Sequence, residues 1–179
     1  PHAMTMTRRA ARRIGFLATL LAASVWAPVV VAQTPGAVQA AWGDVTVDGR
    51  PDVVVANYLT GQVTVYDSRT GFASRTNHAA GPSPVGIAVG DLDGDGLNDA
   101  VVTNYSVGTL SLLPADPAGL FRPRVPYEVM AQPLAALGAD LDGDGRMDVV
   151  VPGSTGGTLL VLHSTRGFEF DRRDSYPTG

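Results

Sequence analysis

The sequence contains no cysteine and no lysine, and only two glutamates stand against 15 aspartates. Without a thiol there is no disulfide framework, no cysteine zinc site and no thiol nucleophile; without lysine there is no Schiff base and no P-loop lysine. Histidine is almost as scarce, with only His2, His78 and His163, and the last two read as solvated side chains. Neither G-x-S-x-G nor H-E-x-x-H occurs, and no carboxylate pair outside the loops described below stands out. The chain is therefore expected not to be an enzyme. What is present is an excess of aspartate. Helix surfaces favour glutamate, because aspartate competes for its own backbone and prefers caps and turns, so the ratio points to loops, to ligation of a hard cation, or to both.

The first 32 of the 179 residues form a distinct segment. They hold no acid, carry Arg8, Arg9, Arg12 and Arg13, and then run apolar from Ile14 to Ala32. A basic start, an apolar centre and the small-residue end Val30-Val31-Ala32 predict a secretory signal peptide over 1–32, cleaved after Ala32. Pro1 to Ala3 are read as non-native residues ahead of a start at Met4 or Met6. An uncleaved membrane anchor is the alternative; Pro28 interrupts the run, and no basic stop-transfer cluster follows it. Arg12-Arg13 leaves both Sec and twin-arginine export open. The expected location is extracellular or periplasmic, with the cell surface also open. Beyond residue 32 the chain has 9 Arg against 17 acids, a formal net charge of −8, which gives it no electrostatic reason to bind nucleic acid or anionic lipid.

The remainder, 33–179, is repetitive. Gly90-Asp91-Leu92-Asp93-Gly94-Asp95-Gly96-Leu97-Asn98-Asp99 recurs 49 residues later from Ala139 to Asp148, and in altered form 47 residues earlier from Gly43 to Asp52. After each loop comes a Val-rich run, from Asp52, Asp99 and Asp148, then a Gly at 61, 108 and 157 opening a second apolar run, then a Gly and a Phe. Repeats are expected at about 37–83, 84–132 and 133–179. The Val-rich runs lack polar alternation and read as strands buried on both faces, whereas Val63/Val65 and Leu110/Leu112 alternate with Thr or Ser as half-buried strands do. Four strands are predicted per unit, in the second unit at 85–90, 99–104, 109–113 and 121–129. The fold class is all-β: three four-stranded antiparallel blades of a partial β-propeller.

The loops supply the chemistry. Aspartates at positions 1, 3, 5 and 9, with glycines at 4 and 6, let alternate side chains of a tight turn aim oxygens at one centre, and calcium takes six to eight oxygens at about 2.3–2.6 Å. The predicted shell of the second unit is Asp91, Asp93, Asp95, the carbonyl of Leu97, and Asp99. That of the third is Asp140, Asp142, Asp144, the carbonyl of Arg146, and Asp148. The first loop keeps Asp44, Asp48 and Asp52, but Thr46 replaces an aspartate and Val47 a glycine, so two Ca²⁺ are expected, or three if this loop also binds. An EF-hand is excluded because its twelfth loop position needs Glu, and here stand Val102 and Val151.

The units resemble the FG-GAP/VCBS repeat family, the calcium-loop propeller blades of integrin α-subunit heads and of many bacterial secreted proteins. The resemblance covers about residues 37–177 and is carried by Pro-Val-Gly-Ile-Ala-Val-Gly-Asp-Leu-Asp-Gly-Asp-Gly-Leu-Asn-Asp-Ala-Val-Val from Pro84. It implies that the eight aspartates of the last two loops are calcium ligands. It also implies a secreted module for adhesion or for recognition of a protein or glycan, with Asn57-Tyr58 and Asn104-Tyr105 as candidate contact residues unless they merely shape the turn. The alternative is a fragment or accessory domain of a larger secreted propeller enzyme, such as a polysaccharide lyase or phosphodiesterase. Propellers close with about four to eight blades, so three predict either further blades in a longer chain or self-association with other copies.

Overall fold

The computed structural model describes residues 36–178, and the segment read as a signal peptide, with its cleavage point, lies outside the described residues. The described residues form twelve strands in three sheets. The first holds β1 (Ala37–Gly43), β2 (Asp52–Asn57), β3 (Gln62–Tyr66) and β4 (Arg75–Ala79). In the second are β5 (Pro84–Gly90), β6 (Asp99–Asn104), β7 (Thr109–Leu113) and β8 (Val125–Glu128). The third contains β9 (Leu137–Ala139), β10 (Asp148–Pro152), β11 (Thr158–Ser164) and β12 (Phe170–Pro177). Each sheet is antiparallel and its strands neighbour one another in chain order, so the described residues form three four-stranded blades of a β-propeller. A 3₁₀ turn at Ser68–Thr70 is the only helical element among the described residues.

Burial explains the Val-rich runs. Every residue of β6 is buried, and its alternate side chains enter two different cores. Ala100 and Val102 pack with Val54, Ala56, Val63 and Val65 of the first blade, and Phe121 joins that cluster. Val101 packs with Val149, Val151, Leu160 and Leu162 of the third blade. A strand has a side-chain period of two, so a blade between two others must be apolar on both faces.

Two expectations are corrected. First, β3 and β7 are not half-buried: Thr64 is 5% exposed and Ser111 0%. These hydroxyls lie inside because each is bonded there. Thr64 Oγ1 donates to Asn77 Oδ1 (2.8 Å) and accepts from Asn57 Nδ2 (2.9 Å). Ser111 Oγ donates to the Ala80 carbonyl (2.5 Å) and accepts from Asn104 Nδ2 (2.7 Å), which ties the crossover out of the first blade to the second. Second, the outer strand of the second blade is Val125–Glu128 rather than 121–129. Pro123, which has no N–H, interrupts the ladder, and Phe121 makes only an isolated bridge to Ala115.

The inner strand β5 lies against both β1 and β9. Gly86 makes this possible: a Cβ there would stand 2.5 Å from Ala135 Cα and Ala136 N, both backbone atoms.

Candidate metal centre in the inner loops

The three aspartate loops join the first and second strands of their blades, and each is organised by its last aspartate. Asp52, Asp99 and Asp148 are all 0% exposed. Asp99 accepts from the amides of Leu92 (2.9 Å) and Ala115 (2.7 Å), Asp148 from Leu141 (3.0 Å) and Ser164 (2.9 Å), and Asp52 from Thr46 (3.0 Å) and Ser68 (3.0 Å). One carboxylate thus clamps its own loop to the residue 16 positions on, at the end of the third strand. The first aspartate folds the turn: Asp91 accepts from Gly94, Asp95 and Gly96 at 2.7, 3.1 and 2.9 Å, and Asp140 repeats this with Gly143, Asp144 and Gly145. Gly94 and Gly96 have φ of 79° and 85°, a conformation that a side chain would strain.

In the second loop, carboxylate oxygens of Asp91, Asp93 and Asp99 lie within 4.8 Å of one another. Oxygens on opposite sides of one Ca²⁺ stand about 4.6–5.2 Å apart, so this cluster fits a single hard cation. Burial, then the neighbouring Asp95, raises the Asp93 carboxyl above its ordinary value. Burial likewise pushes Asp99 up to about 7, against the pull of its two backbone amides. Crowded carboxylates of this kind are relieved by a cation between them. Asp95 stands outside the cluster, and its Oδ1 accepts from the Leu97 amide at 2.8 Å.

The third loop groups its residues differently. Asp140, Asp142 and Asp144 form one cluster, while Asp142, Asp148 and His163 form another. Arg146, expected to offer only a carbonyl, places its guanidinium on Asp144, so a fixed cation already sits on that carboxylate. His163 is not solvated as expected: it is 7% exposed, because β11 turns it inward beneath the loop. His78 is half-buried rather than solvated, with its ring edge-on to Phe121 at 5.3 Å.

Among the described residues, Asp44, Asp48 and Asp52 form no such cluster. Asp44 still accepts from the amides of Asp48 (3.0 Å) and Gly49 (2.8 Å), so the turn survives the loss of one aspartate. Arg69 stands 3.9 Å from Asp48. Adjacent loops are also joined: Asn98 Nδ2 donates to the Asp44 carbonyl (3.1 Å), and the Met147 amide donates to the Asp91 carbonyl (2.7 Å).

Of the candidate contact residues, Asn104 is fully buried and serves the turn, its carbonyl accepting from Gly108 and its amide donating to Ser111. Asn57 repeats the turn with Gly61, and Tyr58 stands 42% exposed beside Leu59 at 71%.

The model of the FG-GAP-like repeat matches this chain twice, at residues 44–102 and 91–151, so the matches span all three loops. No curated protein matches. A chain in the crystal structure of TcdB2-TccC3-Cdc42 is similar at 16% identity and a TM-score of 0.46, over 73% of this chain and 8% of that one. The matched part of this chain spans less than a tenth of the length of that chain.

Proposed function

This protein belongs to the FG-GAP-like repeat family, and on that footing we propose that it is a secreted, calcium-stabilised binding module. The observation that carries the proposal is the group of Asp91, Asp93 and Asp99, whose oxygens lie within 4.8 Å of one another in a loop that supplies no soft ligand. Calcium there would be held by those three carboxylates, with Asp95 beside them, and the third loop would offer Asp140 and Asp142, with Asp144 shared with the Arg146 guanidinium. The metal is structural. It adds a cross-link between strands in a chain without cysteine, so its binding free energy adds to the folding free energy. Secretion rests on the signal-like segment 1–32. The contact surface is the Tyr58-Leu59 turn, whose large exposed side chains suit recognition of a protein or glycan. Further blades, from a longer chain or a second copy, would cover Trp42, which is 43% exposed on the side of β1 opposite Gly43.

The test is thermal unfolding of the full chain in Ca²⁺ and in EDTA. Each filled site adds about 2.7 kcal/mol at a free calcium concentration of 100 Kd, so one site shifts the midpoint by roughly 5–10 °C. Superimposable melting curves would remove the calcium reading. A glycan array probed with the calcium-loaded chain tests the recognition reading.

A further inference from the structure

We infer that the third loop is a mixed nitrogen and oxygen site, Asp142, Asp148 and His163, for a first-row divalent ion such as Zn²⁺, beside the all-oxygen site of the second loop. This rests on the reading that these loops hold divalent metal, and it changes which metal the third one takes. His163 Nδ1 lies 3.3 Å from Asp148 Oδ2 and 3.7 Å from Asp142 Oδ2. Its side chain is only 10% exposed, and Nδ1 has no hydrogen-bond partner. A buried ring nitrogen facing two carboxylate oxygens without a hydrogen bond is costly unless a cation lies between them. Two ligands on one tetrahedral ion at about 2.0–2.1 Å are about 3.3–3.4 Å apart; the Asp148 separation of 3.3 Å matches this, and the Asp142 separation of 3.7 Å is a few tenths of an ångström longer.

Neighbouring side chains favour the same assignment. On the far side of the ring, His163 Nε2 faces Asp174 Oδ2 at 3.6 Å, and Arg172 holds that carboxylate at 2.6 Å. A carboxylate beside the remote nitrogen favours the tautomer whose Nδ1 lone pair is free for a metal, which makes Asp174 a positioning residue. Arg146 neutralises Asp144, so the third loop has one fewer free carboxylate to offer calcium. Neither feature exists in the second loop, where Leu97 stands in place of Arg146 and Pro114 in place of His163. Imidazole suits zinc and its neighbours, whereas carboxylates alone suit calcium.

The test uses the full chain, stripped of metal and returned to saturating Ca²⁺, then titrated with Zn²⁺ while the imidazole nitrogens are followed by ¹H–¹⁵N correlation. Co²⁺ serves as the visible-absorption probe. One equivalent of Zn²⁺ is expected to bind despite the calcium and to shift His163 Nδ1 but not the nitrogens of His78. His163→Gln is expected to lose the Co²⁺ band and at least tenfold in Zn²⁺ affinity, with calcium uptake by the second loop unchanged. The wild-type resonances give the answer even if the variant fails to fold. An unmoved Nδ1, or Zn²⁺ displaced by an equal amount of Ca²⁺, overturns the assignment and leaves the calcium reading standing. Failure of both metals to bind overturns both readings.

Discussion

Replacing Asp99 with alanine separates the two jobs of the loop carboxylates. Asp99 is fully buried and accepts from the amides of Leu92 (2.9 Å) and Ala115 (2.7 Å), whose residues are each 1% exposed. Alanine leaves both amides without a partner, at about 1–3 kcal/mol each. Burial holds the Asp99 carboxyl up at about 7, so removing the charge offsets part of that loss. The expected net cost is about 3 kcal/mol, and at about 2–4 °C per kcal/mol for a domain of this size the melting midpoint falls by roughly 6–12 °C. Because the amide bonds do not involve metal, the fall must appear in EDTA as well as in calcium. Asp93→Asn is the control. Asp93 accepts only from the Asp95 amide at 3.2 Å in an exposed turn, so its loss costs under about 1 kcal/mol in EDTA and lowers the midpoint chiefly in calcium. Both variants are followed by circular dichroism under the two conditions. If Asp99→Ala melts with the wild type in EDTA, the clamp is not what holds the loop to the third strand.

Two further substitutions probe the joints between blades. Gly86→Ala places a Cβ 2.5 Å from the backbone of Ala135 and Ala136, which cannot swing aside; overpacking of about 2–3 kcal/mol is expected, read as a lower urea midpoint with an unchanged slope. Ser111→Ala leaves the Ala80 carbonyl without its hydroxyl donor and the Asn104 side-chain amide with only Thr109 Oγ1 at 3.2 Å, for roughly 1–2 kcal/mol, and amide exchange around Ala80 should accelerate while that of β10 does not.

The repeat made the architecture legible, because each unit carries its own strand pattern and its own loop. The Val runs of β2 and β6 announce two apolar faces. Thr64 and Ser111 were misleading for a physical reason: alternation marks a half-buried strand only if the polar residue faces water, and here both hydroxyls face bonded partners within the protein. The aspartates of the loops could be read from their spacing, as could the turn-forming role of the glycines between them. His163 could not, since a side chain 15 residues beyond Asp148 joins the loop only through the pairing of β10 with β11. Arg146 was hidden in another way. Loop position 7 was read for its carbonyl alone, and spacing does not show that its side chain turns back onto Asp144.

These details change what a metal in the loops would stabilise. A turn that ended at its own hairpin would stiffen one blade only. Here the carbonyls of the first aspartates of the first two loops accept from the loop that follows, Asp44 from Asn98 and Asp91 from Met147, and the Leu120 amide reaches back to the Val45 carbonyl at 2.7 Å. Leu92 and Met147, inside or beside those loops, pack in the core between the second and third blades. An ion that fixes Asp91 therefore also fixes the acceptor on which the third loop rests, and the third loop carries Met147 into that core. Metal bound in this array would act on the joints between blades as much as on the loops themselves, which is where a cysteine-free chain of separate four-stranded sheets most needs a cross-link.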